Sequence, residues 1–111
     1  MHWAPKPAMP DEFVAVAKSA EIPAGTMKCV AVDRVRVLVA NVGGAFYAIG
    51  DMCGHRRAPL SAGELDGYLV ECPLHYAMFD VRTGKFVVGP NSADVPAYET
   101  RIEGDTVLVR R

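Results

Sequence analysis

CGHRRAPLSAGELDGYLVECPLH, residues 53–75, opens with Cys-x-His and closes with Cys-x-x-His. The chain has three cysteines and three histidines among 111 residues, and this stretch holds two of each. Two thiolates and two imidazoles make a complete set for a four-ligand centre. Within each pair, Cys53 with His55 and Cys72 with His75, the residues are too close in sequence to serve two distant sites. The pairs are separated by 16 residues, Arg56 to Glu71, enough chain to turn a hairpin and return. Three readings compete. The first is chance, with the cysteines as small buried hydrophobes and the histidines as surface residues; the crowding of such rare residues argues against it. The second is structural zinc on a Cys2His2 set, although the usual zinc pattern puts both cysteines in one pair. The third is a 2Fe-2S centre in which two histidines replace two cysteines on one iron. A mixed pair suits that arrangement, because each loop then supplies one thiolate to one iron and one imidazole to the other.

On either side of this stretch, short apolar runs alternate with turn signals. VRVLVANV, residues 35–42, puts Val35, Val37 and Val39 on one face and Arg36 and Leu38 on the other, the period of a strand. Gly43-Gly44 joins it to AFYAIG, which is a hairpin signal. Asp66-Gly67, Thr83-Gly84 and Gly104-Asp105 mark further turns among the β-forming runs YLVEC, MFDV, KFVV, YETRI and TVLVRR. Regular short strands with glycine-bearing turns predict an all-β sandwich or barrel of antiparallel sheets. About one turn of helix is expected within PLSAGELD, and the prolines fall mostly between the runs, as loops require. Cys53-x-His55 follows the strand ending near Gly50, and Cys72-x-x-His75 follows GYLVE. Each pair therefore sits on a loop just after a strand, and two such loops at one end of a sheet can converge on one object. Cys29, in TMKCVAVD, is expected to be a buried apolar filler.

A chain of this length suits one domain, and half its residues are apolar, enough for a real core. The formal net charge is −1, and without a basic run the electrostatic footprint of a nucleic-acid binder is missing. No apolar run approaches the roughly 18 residues of a membrane span. The start, MHWAPKPAMP, lacks the apolar region of a secretory signal and is expected to be loosely ordered over residues 1–10. An odd number of cysteines does not suit a disulfide scaffold. The expected compartment is the cytoplasm, where free and metal-bound thiolates persist.

C-x-H-x16-C-x-x-H is the Rieske iron–sulfur motif. HRRAPLSAGELDGYLVECPLHYAMFDVRTGKF resembles the cluster-binding region of Rieske-type ferredoxins, and FYAIGDMCGH and YETRIEGDTVLV resemble their flanking strands. The resemblance spans roughly Phe13 to Arg110. It implies a Rieske fold over 1–111, with a small cluster-binding subdomain inserted at about 51–92. By the same resemblance Cys53 and Cys72 bind the inner iron of one 2Fe-2S cluster, His55 and His75 bind the outer iron, and Pro90 lies in a loop covering the cluster. The function implied is that of a soluble one-electron carrier, expected to be a monomer and not itself an enzyme. It would pass electrons from an NAD(P)H-dependent flavoprotein reductase to a terminal Rieske non-haem iron oxygenase that hydroxylates aromatic rings. The alternatives are a small Rieske subunit of another redox enzyme, such as assimilatory nitrite reductase, and a zinc-stabilised interaction module.

The resemblance also bears on redox potential. Respiratory Rieske proteins carry a further cysteine in each cluster loop and form a disulfide; here those positions are Ala58 and Leu74. They also carry a serine and a tyrosine whose hydroxyls donate to cluster and ligand sulfurs; the counterparts here are Ala77 and Phe79. Without those donors a low potential is expected. Ferredoxins of this type often read CTHRGAPLS, whereas this chain reads CGHRRAPLS, so Arg57 stands at a usual glycine position. Arg56 and Arg57 are candidates for docking an acidic partner surface. Met52, Leu74, Tyr76 and Pro90 are candidates for an apolar contact ring around the exposed histidines.

Overall fold

The computed structural model describes residues 12–52, 58–73, 76–89 and 93–110. Among the described residues ten strands follow one another: β1 (Phe13–Lys18), β2 (Met27–Val32), β3 (Val35–Val42), β4 (Ala45–Gly50), β5 (Glu64–Asp66), β6 (Leu69–Glu71), β7 (Met78–Asp80), β8 (Phe86–Val88), β9 (Ala97–Glu103) and β10 (Thr106–Arg110). They form a six-stranded sheet in the order β1-β10-β9-β4-β3-β2 and a four-stranded sheet in the order β5-β6-β7-β8. Every strand pairing is antiparallel. The small sheet is one continuous excursion of chain between β4 and β9, which pair with each other through Ala48–Tyr98 and Ile49–Ala97. The expected all-β architecture is therefore present, with the expected short helical turn as a 3₁₀ turn at Leu60–Ala62.

The alternation read in residues 35–42 is real, but both faces of β3 are buried. Val37 and Val39 belong to a core shared with Val107, Val109, Ala48 and Ile22 within the six-stranded sheet. Leu38 and Ala40 face the other way, into a second core with Ile49, Leu60, Val70, Cys72 and Phe79. A strand covered on both sides reads as nearly continuous apolar sequence, and VRVLVANV does. The second core is what seats the four-stranded sheet on β3 and β4.

Turn chemistry sets the hairpins. Gly43 (φ +62°) and Gly44 (φ +96°) both take positive φ between the paired residues Val42 and Ala45, as a type I′ hairpin turn requires. The β2–β3 hairpin makes the equivalent turn without glycine, through Asp33 (φ +49°) and Arg34 (φ +69°). Asn41, buried in β3, donates from Nδ2 to the Ile22 carbonyl (2.7 Å) and accepts at Oδ1 from the Gly44 amide (2.8 Å). Asn41→Ala strands the carbonyl of buried Ile22, whereas exposed Gly44 can turn its amide to water. One unpaired buried group costs about 1–3 kcal/mol, and a thermal melt should show a drop of about 4–8 °C per kcal/mol.

Candidate iron–sulfur centre

Of the four expected ligands, Cys72 is described. Cys53, His55 and His75 lie outside the described residues, as do Arg56, Arg57, Leu74, Pro90 and residues 1–10. The structure shows how the segments carrying them are anchored.

The first segment leaves β4 at Gly50. Met52 and Pro59 form an isolated antiparallel bridge, and the Leu60 amide donates to the Asp51 carbonyl. The chain on either side of residues 53–57 is therefore tied together. The second segment leaves β6 at Glu71. The Cys72 amide donates to the Ala77 carbonyl (2.7 Å), and the Tyr76 amide donates back to the Cys72 carbonyl (3.1 Å). This tight turn is closed by Tyr76 in the left-handed region, φ +59°, which costs a non-glycine residue strain and marks sites that the surroundings over-determine. The third segment starts after β8 at Gly89. A Cβ there would lie 2.7 Å from Ala77 Cα, so only glycine allows the chain leading to Pro90 to cross the base of the second turn so closely.

These bases share one core. Ala58, Cys72 and Ala77, one residue from the first segment and two from the second, are all in the cluster with Leu60 and Phe79. The described ends of the two segments, Ala58 on one side and Cys72 and Ala77 on the other, thus belong to one core. Cys72 is fully buried. A thiolate there is disfavoured by desolvation unless a cation compensates it, so the donor chemistry fits an iron-bound sulfur. Met52 and Tyr76 flank the two segments and are exposed, Tyr76 to 70%. Ala58, Ala77 and Phe79, which by the resemblance correspond to a disulfide cysteine and two hydroxyl donors of respiratory Rieske proteins, are buried apolar residues.

Cys29 departs from expectation. It is half-buried in β2 rather than a buried filler. Burial is the main cause that pushes its thiol above the ordinary range, and the nearby Asp51 carboxylate adds to it. The same carboxylate, hydrogen-bonded to Arg36, holds the guanidinium above its usual value. Sequence reasoning missed this Arg36–Asp51 pair, because Arg36 gave only the polar side of a strand alternation and Asp51 gave no signal.

The described residues form a small all-β domain in which buried Cys72 stands where the second ligand segment begins. The model of the Rieske [2Fe-2S] domain matches residues 12–99, and the chain belongs to this family, whose cofactor is one Rieske 2Fe-2S cluster. It is 34% identical over 101 residues to the ferredoxin component of the naphthalene 1,2-dioxygenase system of Pseudomonas aeruginosa, covering 91% of this chain and 97% of that one. Its fold matches the ferredoxin of carbazole 1,9a-dioxygenase from Nocardioides aromaticivorans IC177 with a TM-score of 0.85 and 35% identity, covering 88% of this chain and 96% of that one. It also matches a chain in the complex of reduced oxygenase and oxidized ferredoxin in carbazole 1,9a-dioxygenase, with a TM-score of 0.83 and 33% identity over 88% of this chain and 92% of that one.

Proposed function

We propose that this chain is the ferredoxin component of an aromatic-ring dioxygenase system. In this reading Cys53 and Cys72 hold one iron of the cluster, and His55 and His75 hold the other. The protein takes electrons singly from an NAD(P)H-dependent flavoprotein reductase and delivers them to a terminal Rieske oxygenase. The observation that carries the reading is the near end-to-end match to carriers, 97% and 96% of the length of two ferredoxins. An oxygenase is matched over much less: the terminal oxygenase from Novosphingobium sp. KA1 is covered over only 30% of its length.

The cluster, when bound, supplies reversible one-electron chemistry. The chain's own residues do the rest. Cys72 is withdrawn from water, and the apolar side chains of Leu60, Val70 and Phe79 pack around it. Met52 and Tyr76 offer exposed apolar surface next to the ligand segments, which suits the small interfaces of transient electron-transfer encounters. The reading includes a monomeric carrier working in the cytoplasm; no helix among the described residues is long and apolar enough to cross a membrane. The relatives named above favour a dioxygenase system over a nitrite reductase.

Visible absorption and EPR of the purified protein, before and after dithionite, test the cluster. A red-brown oxidised protein whose reduced form gives a rhombic Rieske signal is expected. A colourless protein with stoichiometric zinc, which anaerobic iron–sulfide reconstitution fails to convert, would overturn the reading. Reduction by a flavoprotein ring-dioxygenase reductase and re-oxidation by its oxygenase then test the partners.

A further inference from the structure

Asp51 is a fully buried charged residue two positions before Cys53. Burying a carboxylate costs several kcal/mol unless it is paired and hydrogen-bonded, and here both oxygens are bonded. Oδ1 accepts from the Ser61 amide (2.8 Å), and Oδ2 accepts from the Ser61 hydroxyl (3.0 Å) and from Arg36 Nε (3.3 Å) and an Arg36 terminal nitrogen (3.1 Å). Its backbone is engaged as well: the Asp51 amide donates to the Arg36 carbonyl (3.1 Å), and the Asp51 carbonyl accepts from Leu60. One side chain thus bolts together β3, the exit from β4, and the 3₁₀ turn at Leu60–Ala62 on the far side of residues 53–57. Arg36 is 54% exposed while its partner is wholly buried, so the anion lies inside and part of the cation lies in solvent.

We propose that Asp51 is a positioning residue for the Cys53/His55 segment, and that its ion pair with Arg36 tunes the electrostatic level at which a cluster held by that segment accepts an electron. This rests on the ligand assignment proposed above. The side chain touches neither cluster nor partner in this account; it acts through the segment it clasps and through its charge. Reduction adds one negative charge to the cluster. Removing the buried anion leaves the Arg36 cation uncompensated and favours the reduced state, whereas removing the cation leaves the anion uncompensated and disfavours it.

The two halves of the pair should therefore shift the midpoint potential in opposite directions. Protein-film voltammetry of cluster-loaded protein is expected to show Asp51→Asn above the parent, Arg36→Gln below it, and the double variant close to it. Asp51→Asn nearly conserves volume and retains an acceptor for the Ser61 amide, and Arg36→Gln shortens a side chain that is already half exposed. Asp51→Ala removes the clasp itself. Iron release from it to a chelator should be roughly 10- to 100-fold faster than from the parent, the usual effect of losing a group that supports a ligand, and Asp51→Asn should recover part of the loss. A purely structural carboxylate would give faster release with no opposed potentials. Same-signed shifts, or none, in variants that keep the Rieske EPR signal would overturn the proposal. A parent protein without that signal would instead overturn the ligand assignment, and the two failures are told apart by the parent's spectrum alone.

Discussion

Cys72→Ala is expected to yield a colourless protein without a Rieske EPR signal, whereas Cys29→Ala should keep the parent spectrum. The two cysteines differ in position. Cys72 is wholly buried at the head of a turn closed by two backbone hydrogen bonds, and its neighbours are the core residues that seat the small sheet on the large one. Cys29 is half-buried in β2, opposite Leu38 in the register with β3. Loss of one buried group the size of a sulfur costs about 1 kcal/mol, a few degrees in a domain of this size. Loss of the cluster removes binding energy that is also folding energy. The melting temperature of Cys72→Ala should therefore fall by roughly 10 °C or more below the parent, against about 4 °C or less for Cys29→Ala. His55→Ala and His75→Ala should match Cys72→Ala in losing the normal spectrum. A Cys72→Ala protein with an unchanged spectrum would remove Cys72 from the ligand set.

What the sequence made legible is what depends on local chemistry. Period-two alternation in residues 35–42 and two glycines that accept positive φ are local signals, and they placed β3, β4 and their hairpin. The crowding of two cysteines and two histidines between residues 53 and 75 is likewise visible without a fold. The β2–β3 turn was not legible, because Asp33 tolerates the left-handed conformation it takes but Arg34 beside it gives no such signal. The burial of both faces of β3 depends on a sheet contributed by residues 64–88, so its alternation alone could not reveal the second core. The Asp51 clasp joins residues 10 and 15 positions apart, and the approach of Gly89 to Ala77 joins separate segments. Such contacts are set by tertiary packing, and the sequence carries them only as an ordinary aspartate and an ordinary glycine.

The midpoint potential should lie near the low end of the Rieske range, about −150 mV, and Ala77→Ser should raise it. Hydrogen bonds to cluster and ligand sulfurs stabilise the electron-rich reduced state, and their number is a lever by which protein tunes an iron–sulfur centre. At Ala77 that lever is absent: the residue is fully buried beside Cys72, its carbonyl occupied by the Cys72 amide, its side chain a methyl group. Phe79 is also fully buried, its ring edge-on to Phe86 at 6.0 Å between centroids, with no hydroxyl to offer. A serine at 77 changes the local volume by a single oxygen and places a donor one turn from Cys72, where a bond to sulfur would stabilise the reduced state. If that bond is about 1.4 kcal/mol stronger in the reduced state, within the range of hydrogen bonds to charged groups, the one-electron potential rises by about 59 mV. The direction separates this effect from simple damage, since a loosened core would admit water and speed cluster loss without requiring a gain in potential. A parent midpoint well above zero would show that donors other than these two hydroxyls govern the centre. An Ala77→Ser potential equal to the parent's, in protein with an intact EPR signal, would show that the hydroxyl finds a backbone acceptor instead of the cluster.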